Sequence, residues 1–345
     1  MTSQAYYNKT KFQNTTHQLS PTLRQSNKPQ ALPSCQYCKS NKHIIHYGKR
    51  RIKAGFVQIY RCTACRKNFT TRILKYAQYP NHIILNAIST YNLGYTLLET
   101  INRISKRFKT KISQSALSTW LKRYSDICTF NYLRKKYIIN PKDIIISKKF
   151  HHQQVYDFKY HTLKTNIAGK NFPTLKNYLK SLQDKCPNKP FQYGPRCSNL
   201  RIDIKPTKTT KHNNAPKLAE LAKTLAKTTR ERHQKVEDFF LINDSATIAI
   251  EVPVYIYPDE LTKKEQNTYG LNLQEPLSGH IDILQVRWNK VHILDYKPDA
   301  KLSDKPAAEQ LFLYALALTK RTKIPLNKFT CAYFDDKNYF QFSPF

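Results

Sequence analysis

Two short apolar runs near the C-terminal end constrain this chain most. One reads Ser278-Gly-His-Ile-Asp-Ile-Leu-Gln-Val286, the other Val291-His-Ile-Leu-Asp-Tyr-Lys297. Each has the length and β-branched content of a strand, and a short polar break separates them, which predicts a hairpin with its turn at Asn289–Lys290. Each is also interrupted by one aspartate, Asp282 and Asp295. An ionised carboxylate inside an apolar strand is costly unless it is paired or metal-bound. Side chains alternate across a strand, so Asp295 and Lys297 share a face. A hairpin pairing the two runs brings Asp282 and Asp295 together, and Glu251, in the earlier run Ile248-Ala-Ile-Glu-Val-Pro-Val254, supplies a third carboxylate from a neighbouring strand.

The flanks are helical. Residues 217–240 place Leu218, Leu221, Leu225, His233 and Val236 at helical spacing, predicting one helix. Residues 306–321 predict another, with Gln310 and Tyr314 one turn apart on one face. A strand-like run, 328–336, follows. Hydrolysis of a phosphodiester needs a divalent cation held by oxygen ligands with positions left open for water and phosphate. Lys297 suits such a site because it can orient the attacking water and offset developing charge. A single Asp-x-Lys is also the pattern of a structural ion pair.

The ordered set of pieces resembles the PD-(D/E)XK nuclease superfamily, and within it the RecB-like branch, over about residues 217–335. The pieces are His233 on a helix, Glu251 on a strand, Gly279 to Asp282, then Asp295-Tyr296-Lys297, then Gln310 with Tyr314. The resemblance implies an α/β restriction-endonuclease-like domain with a mixed central sheet flanked by helices, acting on DNA with Mg²⁺ or Mn²⁺. It implies Asp282, Asp295, His233 and the Tyr296 backbone carbonyl as metal ligands, with Glu237 as a rival ligand one turn after His233. Lys297, Asp295, Asp282 and Glu251 are then the catalytic group, and Gln310 and Tyr314 position the site or the DNA. Some RecB-like nucleases hold an iron–sulfur cluster with three cysteines after the core; only Cys331 follows it here, so no cluster is expected.

Charge separates this region from the rest. Residues 1–230 hold 44 Lys/Arg and 7 Asp/Glu, a net of +37, whereas residues 231–345 net −2. The first carboxylate of the chain is Glu99. A uniform compositional bias toward lysine would not leave the last third neutral, so the first two thirds point to a polyanion such as DNA. No run approaches the length of a membrane span and residues 1–18 lack an apolar core, so an intracellular, nucleoid-associated protein with no membrane partner is expected.

The basic part subdivides. Residues 1–32 are polar and read as a disordered basic arm. Residues 33–72 carry Cys35, Cys38, Cys62 and Cys65 as C-x2-C-x23-C-x2-C around β-prone segments, the pattern of a zinc ribbon with a closed four-thiolate Zn²⁺ site. Arg50, Arg51, Lys53, Arg61, Arg66 and Lys67 crowd it as DNA-binding candidates. Residues 78–128 hold three helical periods, matching an all-α helix-turn-helix domain whose last helix would enter the major groove with Gln114, Ser115, Ser118, Thr119, Lys122 and Arg123. In order and spacing, residues 33–127 resemble the N-terminal DNA-binding region of insertion-sequence transposases, although the spaced acidic residues of their catalytic core do not follow. Residues 129–215 read as a basic linker or helical region, and the nuclease domain is expected over 216–345. The multidomain chain is therefore expected to be a metal-dependent deoxyribonuclease brought to DNA by its N-terminal modules. A DNA-binding or mobile-element regulator with a non-catalytic nuclease fold, and an RNA-processing nuclease, stand as alternatives.

Overall fold

The computed structural model describes residues 32–52, 55–70, 78–202, 209–210, 213–229, 231–298, 300 and 304–344. The expected N-terminal arm lies outside them apart from Leu32, and so does Lys53. The chain divides into two compact units, residues 1–50 with 57–71, and residues 51–56 with 72–345.

The small unit is a three-stranded sheet, β1 (Ile44–Ile52), β2 (Gly55–Cys62) and β3 (Asn68–Phe69), in that order. Its core is little more than Cys35, Ile44, Cys62 and Phe69. So few apolar residues do little to offset chain entropy. The two knuckles turn alike: the residue after each second cysteine, Lys39 (φ 62°) and Arg66 (φ 58°), takes the left-handed conformation.

In the large unit, α1 (Asn81–Asn92), α2 (Leu97–Phe108) and α3 (Gln114–Arg123) form the expected three-helix module, followed by α4 (Phe130–Lys136). Thr96 and Glu99 cap α2 reciprocally, and the Ser113 side chain caps α3. Next come β4 (Ile145–His152), β5 (Gln154–His161), α5 (Thr162–Ala168), α6 (Pro173–Lys185), β6 (Thr209–Thr210), α7 (Ala215–Lys223) and α8 (Arg232–Asn243). The last part is β7 (Thr247–Ile256), α9 (Lys263–Tyr269), β8 (Leu277–Arg287), β9 (Lys290–Tyr296), α10 (Asp304–Thr322), β10 (Phe329–Phe334) and β11 (Tyr339–Phe342). Eight strands make one mixed sheet in the order β4-β5-β7-β8-β9-β10-β11-β6. Among the described strand pairs only β9 and β10, joined through α10, run parallel, and Arg196 makes an isolated parallel bridge to Ser278. No helix of the described residues is long and apolar enough to cross a membrane.

Three expectations change. The helix expected over 217–240 is two, α7 and α8. The hairpin turn is Trp288–Asn289, one residue earlier than expected, with Arg287 paired to Lys290 and φ of 48° and 53° at its two central residues. Two left-handed central residues make a type I′ turn, whose twist matches that of the flanking strands. The stretch 129–215, read as a linker, supplies β4, β5 and β6 and thereby both edges of the main sheet. Its lysines and histidines disguised strands whose inner faces carry Phe150, Phe158 and Tyr160.

The helices cover the two faces of the sheet with separate cores. One joins α6 and α10 to Val252, Val254, Ile281 and Ile293. The other joins α1, α2, α3, α7 and α8 to Ile250, Ile283, Leu294 and Tyr296. The three-helix module is therefore built onto the sheet. A buried pair ties it there: Asn92 donates to the Asn243 side-chain oxygen at 2.9 Å, and Asn243 donates to Ser89 Oγ at 2.9 Å.

Candidate active site and metal centre

The carboxylates meet where two strands change face. On β7, Ile250 and Val252 should share a side, yet Ile250 packs under α8 and Val252 under α10. On β8, Ile281 and Ile283 are split the same way. The residues between them, Glu251 and Asp282, stand opposite each other, since Ile250 pairs with Ile283 and Val252 with Ile281. Glu251 carries the irregularity with φ 49°, a left-handed conformation that is strained for a side chain of this kind.

The ladder between β8 and β9 stops at the same level. Its last pair is Ile283 with Leu294, and the next residues are Asp282 and Asp295. Beyond that point β9 leans on β10, where Asp295 stands beside Tyr333 and Lys297 N donates to the Phe334 carbonyl at 2.9 Å. The opening is filled by side chains. Tyr296 N donates to Asp282 Oδ2 at 3.2 Å, and Lys297 Nζ lies 2.8 Å from Asp295 Oδ2.

Helix α8 closes the other side. His233 Nε2 lies 2.9 Å from Asp282 Oδ2 and 3.0 Å from Glu237 Oε1, its i+4 neighbour. His233, Glu237 and Asp282 each offer a ligand atom within 4.8 Å of the others, so they could hold a metal ion. Of the expected ligands, His233 and Asp282 belong to that group. Asp295 instead faces Lys297 and Asp282, and what the structure records for Tyr296 is its N–H on Asp282. Glu237, the rival ligand, is in the group and almost wholly buried.

Burial raises the Glu251 carboxyl to about 9, with the neighbouring charges of Glu237 and Asp282 adding to the effect. Burial also raises Glu237 to about 7, against the pull of His233. Asp295 is held well above the usual carboxylate range by burial and then by Asp282. Asp282 goes the other way: despite burial, His233 and Lys297 hold it below that range. Burial alone would lower His233, but Asp282 and Glu237 raise it to about 12. Four crowded carboxyls, three of them raised first by burial and then by neighbouring charge, form an oxygen donor set whose repulsion a divalent cation would relieve, so these residues fit one.

Gln310 and Tyr314 sit under the site on α10. Gln310 donates to the Tyr314 hydroxyl at 2.6 Å. A Cβ on Gly279 would lie 2.3 Å from the Tyr314 ring, so only glycine lets β8 come this close to α10.

In the small unit, Cys35 Sγ lies 3.6 Å from Cys65 Sγ, and Cys38 Sγ 3.5 Å from Cys62 Sγ, with all four sulfurs within 4.8 Å of one another. A tetrahedron with metal–sulfur bonds of about 2.3 Å has edges of about 3.8 Å. The four cysteines therefore could hold a structural metal ion such as zinc. Arg50, Arg66 and Lys67 are exposed on this unit, Arg51 is exposed just past its boundary on β1, and Arg61 lies over the Tyr47 ring. On α3, Gln114, Ser115, Ser118, Thr119, Lys122 and Arg123 are all exposed, while Leu117, Trp120 and Leu121 are buried.

Sequence reasoning passed over four residues beside the site. Arg196, Tyr156, His152 and His280 gather along β8, next to Asp282. The signal was present for His280, which lies two residues before Asp282 on the same strand. The other three fall in the stretch read as a linker. Comparisons of the chain with protein-family models, curated proteins and solved structures give no match.

Proposed function

We propose that the protein is a metal-dependent nuclease that hydrolyses DNA phosphodiester bonds at the Asp282–Asp295–Lys297 cluster. The observation that carries the reading is the convergence of those three residues with His233, Glu237 and Glu251 where the β8–β9 ladder opens. A divalent cation bound among the carboxylates would supply Lewis acidity toward the phosphate and a readily ionised water. The chain's own residues do the rest. Asp282 and Glu237, held by His233, are the nearest donors for the cation. Lys297, fixed by Asp295, orients the attacking water and balances charge that gathers on the phosphate. Tyr314 and Gln310 hold β8 in place from below.

The partner is DNA and the four-cysteine metal is zinc in this reading. The exposed polar and basic side chains of α3 and the basic surface of the cysteine unit support that choice of partner. The test is a cleavage assay with Mg²⁺ or Mn²⁺ on duplex and single-stranded DNA and on RNA. Asp295→Ala and Lys297→Ala should each lower the rate at least about 100-fold while binding persists. Wild-type rates in both variants would sink the assignment, and preferential cutting of RNA would move the substrate to that polymer.

A further inference from the structure

We propose that Arg196 is the phosphate-binding residue of this site, taking a backbone phosphate of the nucleic acid with its guanidinium, and that Tyr156 is the positioning residue that sets it. The inference rests on the nuclease reading above and names the group that seats the substrate.

The backbone under Arg196 is fixed. Ser278 N donates to the Pro195 carbonyl at 3.1 Å, and Cys197 N donates to the Ser278 carbonyl at 2.8 Å. Cys197 is buried in the core beneath. A Cβ on Gly194 would lie 1.6 Å from the Pro276 carbonyl oxygen, so glycine is required for this close approach. Residues 194–197 thus form a strap clamped to β8, four positions before Asp282.

The side chain is fixed as well. The Arg196 guanidinium donates to the Tyr156 hydroxyl and lies 5.3 Å from the centre of its ring. Tyr156 stacks flat on His280, with ring centres 3.5 Å apart and 3° between planes. His280 Nε2 meets His152 Nδ1 at 2.9 Å, and His152 stacks on Phe191.

What Arg196 does not do is equally informative. Arg321 pairs with Glu260 and Arg201 with Glu309, whereas the described residues give Arg196 no carboxylate partner. Yet its charge acts on Glu251, and Tyr156 feels both Glu251 and Asp282. A half-buried guanidinium held back from nearby carboxylates keeps its fork of donors available. That fork matches two oxygens of a phosphate in a way an ammonium cannot. A site lined by four carboxylates repels a phosphate unless cations face it. Arg196 supplies such a charge on the strap side of the site, as Lys297 does at the end of β9.

The experiment compares cleavage of an oligonucleotide in Mn²⁺ by wild-type protein and by Lys297→Ala, Arg196→Ala, Arg196→Lys and Tyr156→Phe. The same oligonucleotide is also used with a single neutral methylphosphonate placed at each phosphate around the cut, and Mn²⁺ affinity is followed by calorimetry. Arg196→Ala should keep its Mn²⁺ affinity and lose at least about 100-fold in kcat/KM. Arg196→Lys should recover less than about tenfold of that loss, because the charge returns without the fork. Tyr156→Phe should raise KM more than it lowers kcat. One methylphosphonate position should slow the wild type but leave Arg196→Ala no slower than it already is. Equal methylphosphonate penalties at every position in the two proteins would overturn the inference, and so would Arg196→Ala cleaving at the wild-type rate. If Arg196→Ala fails to fold, Arg196→Lys carries the same methylphosphonate comparison. Cleavage lost in Lys297→Ala but intact in Arg196→Ala removes only this inference, whereas wild-type protein that cuts nothing removes the nuclease reading with it.

Discussion

Glu251 is the residue at which strain and chemistry coincide. Its φ of 49° is held in the middle of β7, where an extended conformation is the rule. Left-handed backbone at a non-glycine residue costs about 1–3 kcal/mol and persists where surrounding structure dictates it. Glu251→Gly relieves that conformation and removes one of the crowded carboxyls. It should melt at the wild-type temperature or above it, a gain of up to about 1 kcal/mol, while cleavage is lost. Scanning calorimetry beside the cleavage assay reads both. Lys164 makes a second case at this scale. It is buried, donates to the Asp244 carbonyl at 2.8 Å at the end of α8, and is lowered from 10.5 to about 7 by burial, with Asp244 opposing. Below pH 7 both the folded and the unfolded chain carry this proton, and above about 10.5 neither does. Between those limits the unfolded chain binds more of it, so stability rises with pH. The slope is up to about 1.4 kcal/mol per pH unit. Urea midpoints at pH 7 and pH 9.5 should therefore differ more in the wild type than in Lys164→Met.

At the scale of elements, α8 is the part on which most depends. Its first turns carry His233 and Glu237, and its last residue, Asn243, is fully buried and bonded to α1. Asn243→Ala leaves the buried Asn92 amide without its acceptor, which should cost about 1–3 kcal/mol in denaturant unfolding. Much of this was legible beforehand. The hairpin, the aspartate pair, the helix bearing Gln310 and Tyr314 and the three-helix module all follow from short-range periodicity. The break between α7 and α8 was not, because Leu218, Leu221, Leu225 and Val236 keep helical spacing across residues 224–229, which are not in a helix. Nor were β4 and β5: Lys148, Lys149 and Lys159 on them read as solvated charge, while Lys159 in fact pairs with Asp157 and Asp238. The sheet depends on contacts distant in sequence, to which local periodicity is blind. Arg196 escaped for the same reason, since its partners lie on β5 and β8.

The whole molecule is two units with different sources of stability. The large one has extensive apolar cores on both faces of its sheet, and the small one has only a handful of apolar residues beside its four clustered thiols. If those thiols bind zinc, the metal supplies folding energy to the small unit alone. A chelator should then release one zinc per chain and make amide exchange fast over residues 35–69, with β7 to β10 protected as before. Hydrogen-exchange mass spectrometry resolves the two units in a single experiment. Loss of protection throughout the sheet would mean the units depend on each other for folding.

The position of β4, β5 and β6 has a bearing on how the chain is made. Between His161 and Thr209 the polypeptide passes from one edge of the sheet to the other and is clamped to β8 on the way. Both margins are therefore synthesised before the strands that lie between them. A shortened protein beginning at Ala215 would contain His233, Asp282, Asp295 and Lys297 but leave the outer edges of β7 and β11 bare. Unpaired edges of that kind recruit other copies and drive aggregation. In the full chain the segments that cover those edges precede the strands they cover.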